Sequence, residues 1–423
     1  MVRRGKQGLI VGRFEPAGTV HAPGSKSYMQ RALAAALLAA GRSSIRNPSF
    51  SSDALAAVGV IKNLGASVSI RDDVVTVDGG FSPKGRVLNC GESGLGIRMF
   101  APIAALHEKS ITLMGKGSLL KRPMHIVKEP LEQLGAACIL NEGFLPMTVR
   151  GPLRAGHITI DGSISSQVIT GLLMALPLLR DDTVMDVENA KSINYIDMTI
   201  GLLREFGVVI THNGHRRFHI SGGQVYHPAE YFVEGDWSGG AFWLVAGCLH
   251  GPVTVVGLEA GSLQGDRAAL EVIRSVGANI RQDHDRITVE RKHLLPFEFD
   301  ATHCPDLFPP LVVLAAFCNG VSAIQGVSRL YGKESNRAEV MRTEFKKTGL
   351  RIDIVNDVMK IYGGEKLHSA TMDVHNDHRM AMAASLFPAG GVEQVNINTP
   401  SCVDKSYPSF FDDLKKLGGV VYE

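Results

Sequence analysis

The sequence predicts an α/β (α+β) protein of two domains, each made of three repeated units of about 70 residues, with buried helices in the middle and sheets outside. One observation behind this is a polar mouth followed by a mostly uncharged apolar run, PGSKSYMQRALAAALLAAG from Pro23, which returns five times. The returns are GESGLGIRMFAPIAAL from Gly91, SISSQVITGLLMALPLL from Ser163, GDWSGGAFWLVAGCL from Gly235, CPDLFPPLVVLAAFC from Cys304 and NDHRMAMAASLFPAG from Asn376. A second is a set of glycines, Gly65, Gly135, Gly207, Gly277, Gly349 and Gly418, spaced by 70, 72, 70, 72 and 69 residues. Each closes an amphipathic run before a strand-like one, where a left-handed residue ends a helix. A third is that Asp53, Pro123, Tyr195, Gly265 and Arg337 each lie 12 residues before the glycine of their unit. Starts and stops therefore share one register.

Within a unit the order reads strand, buried helix, strand, amphipathic helix, strand, with further short strands around Gly/Asp turns. Val74–Val77, Ile111–Met114, His157–Ile160, Val253–Val256 and Ile287–Val289 are examples of the strands. The apolar runs are uniform enough to be buried on nearly all sides, so only their polar N-termini are open to chemistry. The domain boundary falls near Val233–Gly235, giving one domain over 21–234 and another over 1–20 plus 235–423. Twelve helix N-termini are expected, and two bodies facing each other with N-termini aligned would make an anion-collecting cleft.

Composition narrows the class. The chain has 423 residues, 45% of them hydrophobic and 20% charged, enough to fill sizeable cores and too apolar for disorder. A net charge of +2 does not provide a general nucleic-acid surface, so any anion preference is local. Six cysteines are scattered without a CxxC pair, which points to reduced thiols and away from a disulfide or zinc framework. The N-terminal MVRRGKQGLIVGRF lacks an apolar secretion core, and no run approaches the ~18 apolar residues of a membrane span. The chain reads as soluble and cytoplasmic.

The polar residues at the helix mouths are richer than capping needs. Lys26, Ser27 and Arg31 stand in the first unit, Arg98 and Arg122 in the second, and Ser165, Ser166, Gln167, Ser192 and Tyr195 in the third. Later units offer Asp236, then Asp306, Lys333, Glu334 and Arg337, then Asp377, His378, Arg379 and Lys405. Arginine suits bidentate carboxylate or phosphate binding, and an Asp and a Glu amid cations fit acid–base work better than metal binding. Against these stand plainer roles: Ser25, Ser93, Asp53, Asp266 and Asp377 read as helix caps, His378 as a structural hydrogen-bonding residue, and Met174, Met380 and Met382 as core filler. Arg379, directly before an uncharged helix, has no such plain role.

PGSKSYMQR, RPM at Arg122–Met124, GSISSQ, SINYIDMT, PD at Pro305–Asp306, KESNR, NDHRMAM and CVDKSYPSFF, in this order from about Pro16 onward, resemble the 5-enolpyruvylshikimate-3-phosphate synthase family. The resemblance implies a two-domain inverse α/β barrel-like fold with the active site between domains that close on substrate. It implies transfer of the enolpyruvyl group of phosphoenolpyruvate to the 5-hydroxyl of shikimate 3-phosphate through a tetrahedral intermediate, without metal or organic cofactor, in a likeness to monomeric enzymes. Matched by position, the shikimate phosphate is expected on Lys26, Ser27, Arg31, Ser165, Ser166, Gln167, Ser192, Asp306 and Lys333. Phosphoenolpyruvate is expected on Lys26, Gly94, Arg122, Gln167, Arg337, Arg379 and Lys405. The resemblance gives Asp306 the part of general base and Glu334 that of the acid protonating the methylene, and counts Lys26 as a further catalytic residue.

The chain departs from the family pattern at Glu92-Ser93-Gly94-Leu95, which brings a carboxylate beside Gly94, at Arg329-Leu330-Tyr331-Gly332 and at Asn336. A sister reading is the UDP-N-acetylglucosamine enolpyruvyl transferase, which carries a reactive Cys in the second-unit loop; here that loop is Gly115-Lys116-Gly117-Ser118. A reading from another class, a repeat-built nucleic-acid-binding module, predicts diffuse basic charge and no acid pair.

Overall fold

The computed structural model describes residues 8–422. Part of the N-terminal stretch read above as lacking a secretion core, residues 1–7, lies outside the described residues. Contacts divide the chain into a continuous unit, Gly24–Val233, and a split unit, Met1–Pro23 with Glu234–Glu423. Each has its own hydrophobic core.

Twelve α-helices are present among the described residues. In the continuous unit they are α1 (Lys26–Leu38), α2 (Ser52–Asn63), α3 (Gly94–Ala104), α4 (His125–Gln133), α5 (Gln167–Ala175) and α6 (Ile193–Glu205). In the split unit they are α7 (Trp237–Leu249), α8 (Ala269–Ser275), α9 (Phe308–Ala316), α10 (Arg337–Phe345), α11 (His378–Ala384) and α12 (Phe410–Lys416). The odd-numbered helices are the apolar runs and are buried almost throughout; α3, α7, α9 and α11 hide every residue. The even-numbered ones keep an exposed polar face, as their sequence pattern requires.

All six register glycines adopt positive φ, from 81° to 121°. At Gly65, Gly135, Gly207, Gly277 and Gly418 the next residue donates its N–H to the carbonyl five back, as Ala66 does to Ile61 at 3.0 Å. This closing pattern satisfies carbonyls that the helix leaves open and turns the chain into the next strand. At Gly349 the helix ends through a short 3₁₀ turn, Lys346–Thr348.

Among the described residues six four-stranded sheets carry the repeat, three in each unit, all with one wiring: an edge strand parallel to the next, then two antiparallel pairs. In the second repeat these are Val87–Asn89, Ile111–Met114, Phe144–Arg150 and Ala137–Asn141. The parallel pair is linked by α3, the ordinary crossover for parallel strands. Two of the sheets borrow strands across the sequence. Gly18–His21, which directly precedes α1, pairs with Val253–Val256 of the split unit. Glu230–Phe232, which precedes α7, pairs with Gly41–Arg46 of the continuous unit. The chain passes between units immediately after each of these strands. The sixth sheet is completed by Leu9–Gly12, lying between Gln394–Asn398 and Val420–Tyr422. The N-terminal strand thus supplies the hairpin partner that the other five units find directly downstream.

No helix among the described residues is long and apolar enough to cross a membrane. The six cysteines are buried and unbridged, and burial pushes the Cys90 thiol up to about 12.

Candidate active site

In the continuous unit the polar mouths of three buried helices hold two clusters. Ser25 caps α1 through the Tyr28 N–H, which puts Lys26, Ser27 and Arg31 on the first two turns. Arg31 is buried and bridges three helices: Nε donates to Thr199 Oγ1 at 2.9 Å, Nη1 to Ser27 O at 2.9 Å, and Nη2 to Thr170 Oγ1 and Tyr195 O, both at 3.2 Å. Its partners are neutral, and burial lowers the guanidinium to about 10. No carboxylate pairs with it among the described residues. Lys26 Nζ meets Asp53 Oδ2 at 3.1 Å. The expected cap role of Asp53 is therefore corrected: Ser51 caps α2 through the Ala54 N–H, and Asp53, two residues into the helix, is turned to Lys26.

The second cluster surrounds Gly94, the first residue of α3, which Ser93 caps through the Gly96 N–H at 2.9 Å. A Cβ at Gly94 would lie 2.7 Å from Arg122 Nη1, 3.4 Å from Arg98 Nη1 and 3.6 Å from Gln167 Oε1. Arg98 Nη1 also donates to Gln167 Oε1 at 2.8 Å. Two guanidinium groups therefore converge on a helix N-terminus where only hydrogen covers the backbone, a setting made for a small anion. Ser165 Oγ accepts the Gln167 N–H at 3.2 Å, one residue before Ser166, the N-cap position of α5, which makes no side-chain cap bond. Ser192 enters α6 in a left-handed conformation, φ 54°. The Glu92 carboxylate occupies the space that a Cβ at Gly117 would fill, against the 115–118 loop. That loop leads through the 3₁₀ turn Gly117–Lys121 to Arg122.

The split unit gathers the charged residues. Asp306 stands in the 3₁₀ turn Pro305–Leu307 that opens α9. Its Oδ1 meets Arg337 Nη1 at 2.7 Å and Lys333 Nζ at 3.6 Å, and its Oδ2 meets Arg379 Nη2 at 3.1 Å. Burial works to raise the Asp306 carboxyl, but Arg379, Lys333 and Arg337 together hold it well below the usual carboxylate range. Arg337 opens α10 and is fully buried; it also donates to Glu334 Oε2 at 2.6 Å and to Asp377 at 2.8 and 3.2 Å. Burial opposes its charge, and Asp377, Glu334 and Asp306 overcome that and raise it. Asp377 caps α11 through the Arg379 N–H, as expected, and binds Arg337 as well. Lys333 is depressed, by burial first, against the pull of Asp306. Lys405 is buried at the end of the 3₁₀ turn Pro400–Lys405, which packs on α11.

Asp266 also departs from its expected cap role. Its turn is 3₁₀ and α8 starts three residues later without a side-chain cap, so Asp266 accepts the Ser238 hydroxyl instead. Burial, then the Asp306 charge, pushes its carboxyl up to about 6 against Arg379. A carboxyl raised on folding stays protonated longer in the native state, so it costs stability as pH climbs from its ordinary value of 3.8 towards 6. Asp266→Asn is expected to erase that loss: melting curves of the two proteins converge below about pH 4 and separate in the variant's favour above it. A gap independent of pH would refute the assignment.

Gly94→Ala tests the other cluster. The added methyl must displace the Arg122 guanidinium, the movable end of a long side chain, so the fold should survive. The KM for an anion bound there should rise on the order of tenfold or more, since small misplacements of binding groups are expensive. An unchanged KM with an unchanged melting point would remove Arg122 from the site.

The fold is repeat-built, and its cation clusters gather at helix N-termini, a setting suited to small anions. Solved structures with the same fold include an EPSP synthase from Acinetobacter baumannii, TM-score 0.82 at 23% identity, covering 99% of this chain and all of that one. The enolpyruvyl transferase NikO from Streptomyces tendae matches with TM-score 0.78 at 18% identity, covering 99% of each chain. In sequence, the chain is 36% identical to the 3-phosphoshikimate 1-carboxyvinyltransferase of Clostridium perfringens over 98% of its own length and 99% of that protein. The Clostridium acetobutylicum protein of the same name is 37% identical over 96% of each. The profile of the EPSP synthase (3-phosphoshikimate 1-carboxyvinyltransferase) family matches residues 14–414, and the chain belongs to this family.

Proposed function

We propose that this chain moves the carboxyvinyl group of phosphoenolpyruvate to the 5-hydroxyl of shikimate 3-phosphate and releases phosphate, by addition and elimination through a tetrahedral intermediate. The observation that carries the reading is the split-unit cluster, in which Asp306 and Glu334 share Arg337 while Lys333 and Arg379 flank Asp306. In this reading Asp306 takes the proton of the attacking hydroxyl and Glu334 protonates the methylene carbon of the donor. Elimination then returns a methyl proton to Glu334, while phosphate leaves with the proton that Asp306 took from the hydroxyl.

The continuous unit supplies most of the shikimate phosphate site, and the split unit much of the phosphoenolpyruvate site. Lys26, Ser27, Arg31, Ser165, Ser166, Gln167 and Ser192 hold the shikimate phosphate, with Asp306 and Lys333 contributing to that substrate. Arg122 beside Gly94, with Lys26, Gln167, Arg337, Arg379 and Lys405, holds phosphoenolpyruvate. The absence of a carboxylate partner around Arg31, among the described residues, supports the phosphate role because its charge is left to act on an incoming anion. The division of labour follows the boundaries proposed for the two domains, and a monomer in the cytoplasm is the assembly and place proposed with it.

A coupled assay of phosphate release with shikimate 3-phosphate and phosphoenolpyruvate tests the reading. Turnover is expected with that pair and none when UDP-N-acetylglucosamine replaces the shikimate ester. Release with the nucleotide sugar alone would transfer the assignment to the sister reaction.

A further inference from the structure

The hairpin that ends the third sheet carries a side-chain cluster apart from the mouths of the buried helices. His212 lies in the strand Thr211–Asn213 and His215 in the turn before Arg217–Ile220. Their rings are 4.3 Å apart between centroids. Gly214 and His215 both have positive φ, 55° and 57°, and the His215 N–H donates to His212 Nδ1 at 3.2 Å. His215 Nε2 in turn lies 2.6 Å from Asp197 Oδ1 on α6. One ligand atom from each of the three residues lies within 4.8 Å of the other two.

Asp197 has no ion-pair partner among the described residues except this imidazole, which is charged only when protonated. One carboxylate oxygen and two imidazole nitrogens brought this close offer a ready donor set to a cation that prefers nitrogen. Calcium and magnesium favour all-oxygen shells, whereas two imidazoles with one carboxylate match zinc and its neighbours. Three protein ligands leave a position for water. We infer that Asp197, His212 and His215 bind one divalent cation of the zinc class, which ties the 211–217 hairpin to α6. The ion takes the place of the proton shared by His215 and Asp197, and that proton leaves to solvent. Because α6 also provides Thr199 and the Tyr195 carbonyl to Arg31, a bound ion braces the helix that holds this guanidinium.

The test uses the full chain stripped with a chelator, titrated with Zn²⁺ by calorimetry and with Co²⁺ by visible absorption. Saturable binding of one ion per chain is expected, with a rise in melting temperature that grows with Zn²⁺ concentration. His212→Gln, His215→Gln and Asp197→Asn should each weaken binding on the order of tenfold or more and abolish the thermal shift. His212→Cys, which keeps a ligand, should retain binding and add a thiolate-to-cobalt charge-transfer band, even if glutamine unsettles the turn. Absence of saturable binding, binding that survives all three ligand removals, or a cysteine variant without the band would overturn the inference.

Discussion

Arg337→Leu is expected to remove on the order of 3–5 kcal/mol of stability, the usual cost of taking one partner from a buried ionic group. The guanidinium is only 1% exposed and touches Asp306, Glu334 and Asp377 at 2.6–3.2 Å. Leucine fills much of the space but leaves three acids facing each other in a place water barely reaches, and their mutual repulsion then has no centre. The deficit should depend on pH. Asp306 is held below its ordinary value in the native chain, so its contribution is present above that value and is lost as pH falls through the depressed one. Without Arg337 part of this contribution is already missing, and acidification, which protonates the acids, brings variant and parent together. Arg337→Lys keeps the charge but not the planar fork that reaches three carboxylates, and should fall between. Denaturant unfolding of the three proteins at several pH values is the measurement. A leucine variant within about 1 kcal/mol of the parent at neutral pH would mean that the acids are solvated or already protonated.

The features legible in the sequence were those with local causes. A helix end that needs a left-handed residue puts a glycine at Gly65 or Gly277 whatever lies around it, and an unbroken apolar run such as that of α7 has to be buried. The mouths at Lys26, Gly94, Asp306, Arg337 and Arg379 could be located because they start such helices. The partners of these residues could not. Arg31 and Thr199 are 168 positions apart, and Asp306 is bound by three side chains from two later segments. Nothing in a local window marks that Asp53 should turn to Lys26 when Ser51 is available as the cap, or that Asp377 should bind Arg337 as well as capping its own helix. The strand Leu9–Gly12 was equally hidden, since it completes a sheet whose other members begin at Ala370. The Asp197, His212 and His215 cluster was not read from the sequence, because Asp197 on α6 meets His215 only through the fold.

Asp306→Asn is expected to keep the fold and to lower turnover by on the order of 10²–10⁴, the range for losing a positioned general base. At first sight the environment argues against the role, because a carboxylate drawn down by Arg379, Lys333 and Arg337 is a weak base. The substrates alter that balance. In the proposed complex the shikimate phosphate engages Lys333 and the donor carboxylate or phosphate engages Arg379, and each added anion cancels a charge that now depresses Asp306. Asp266 at about 6, buried nearby, repels the same carboxylate once it is ionised. With these cations engaged by substrate anions, the pKa of Asp306 rises towards the working range, where a base is most effective. The acid limb of the kcat profile should therefore lie at higher pH than that of kcat/KM, since the former reports the loaded enzyme and the latter the free one. In Asp306→Asn the residual rate should lose this limb, while shikimate 3-phosphate still raises the melting temperature. Near-parental turnover in the variant would remove Asp306 from proton transfer, and coincident acid limbs in the parent would show that substrate anions do not relieve its cations.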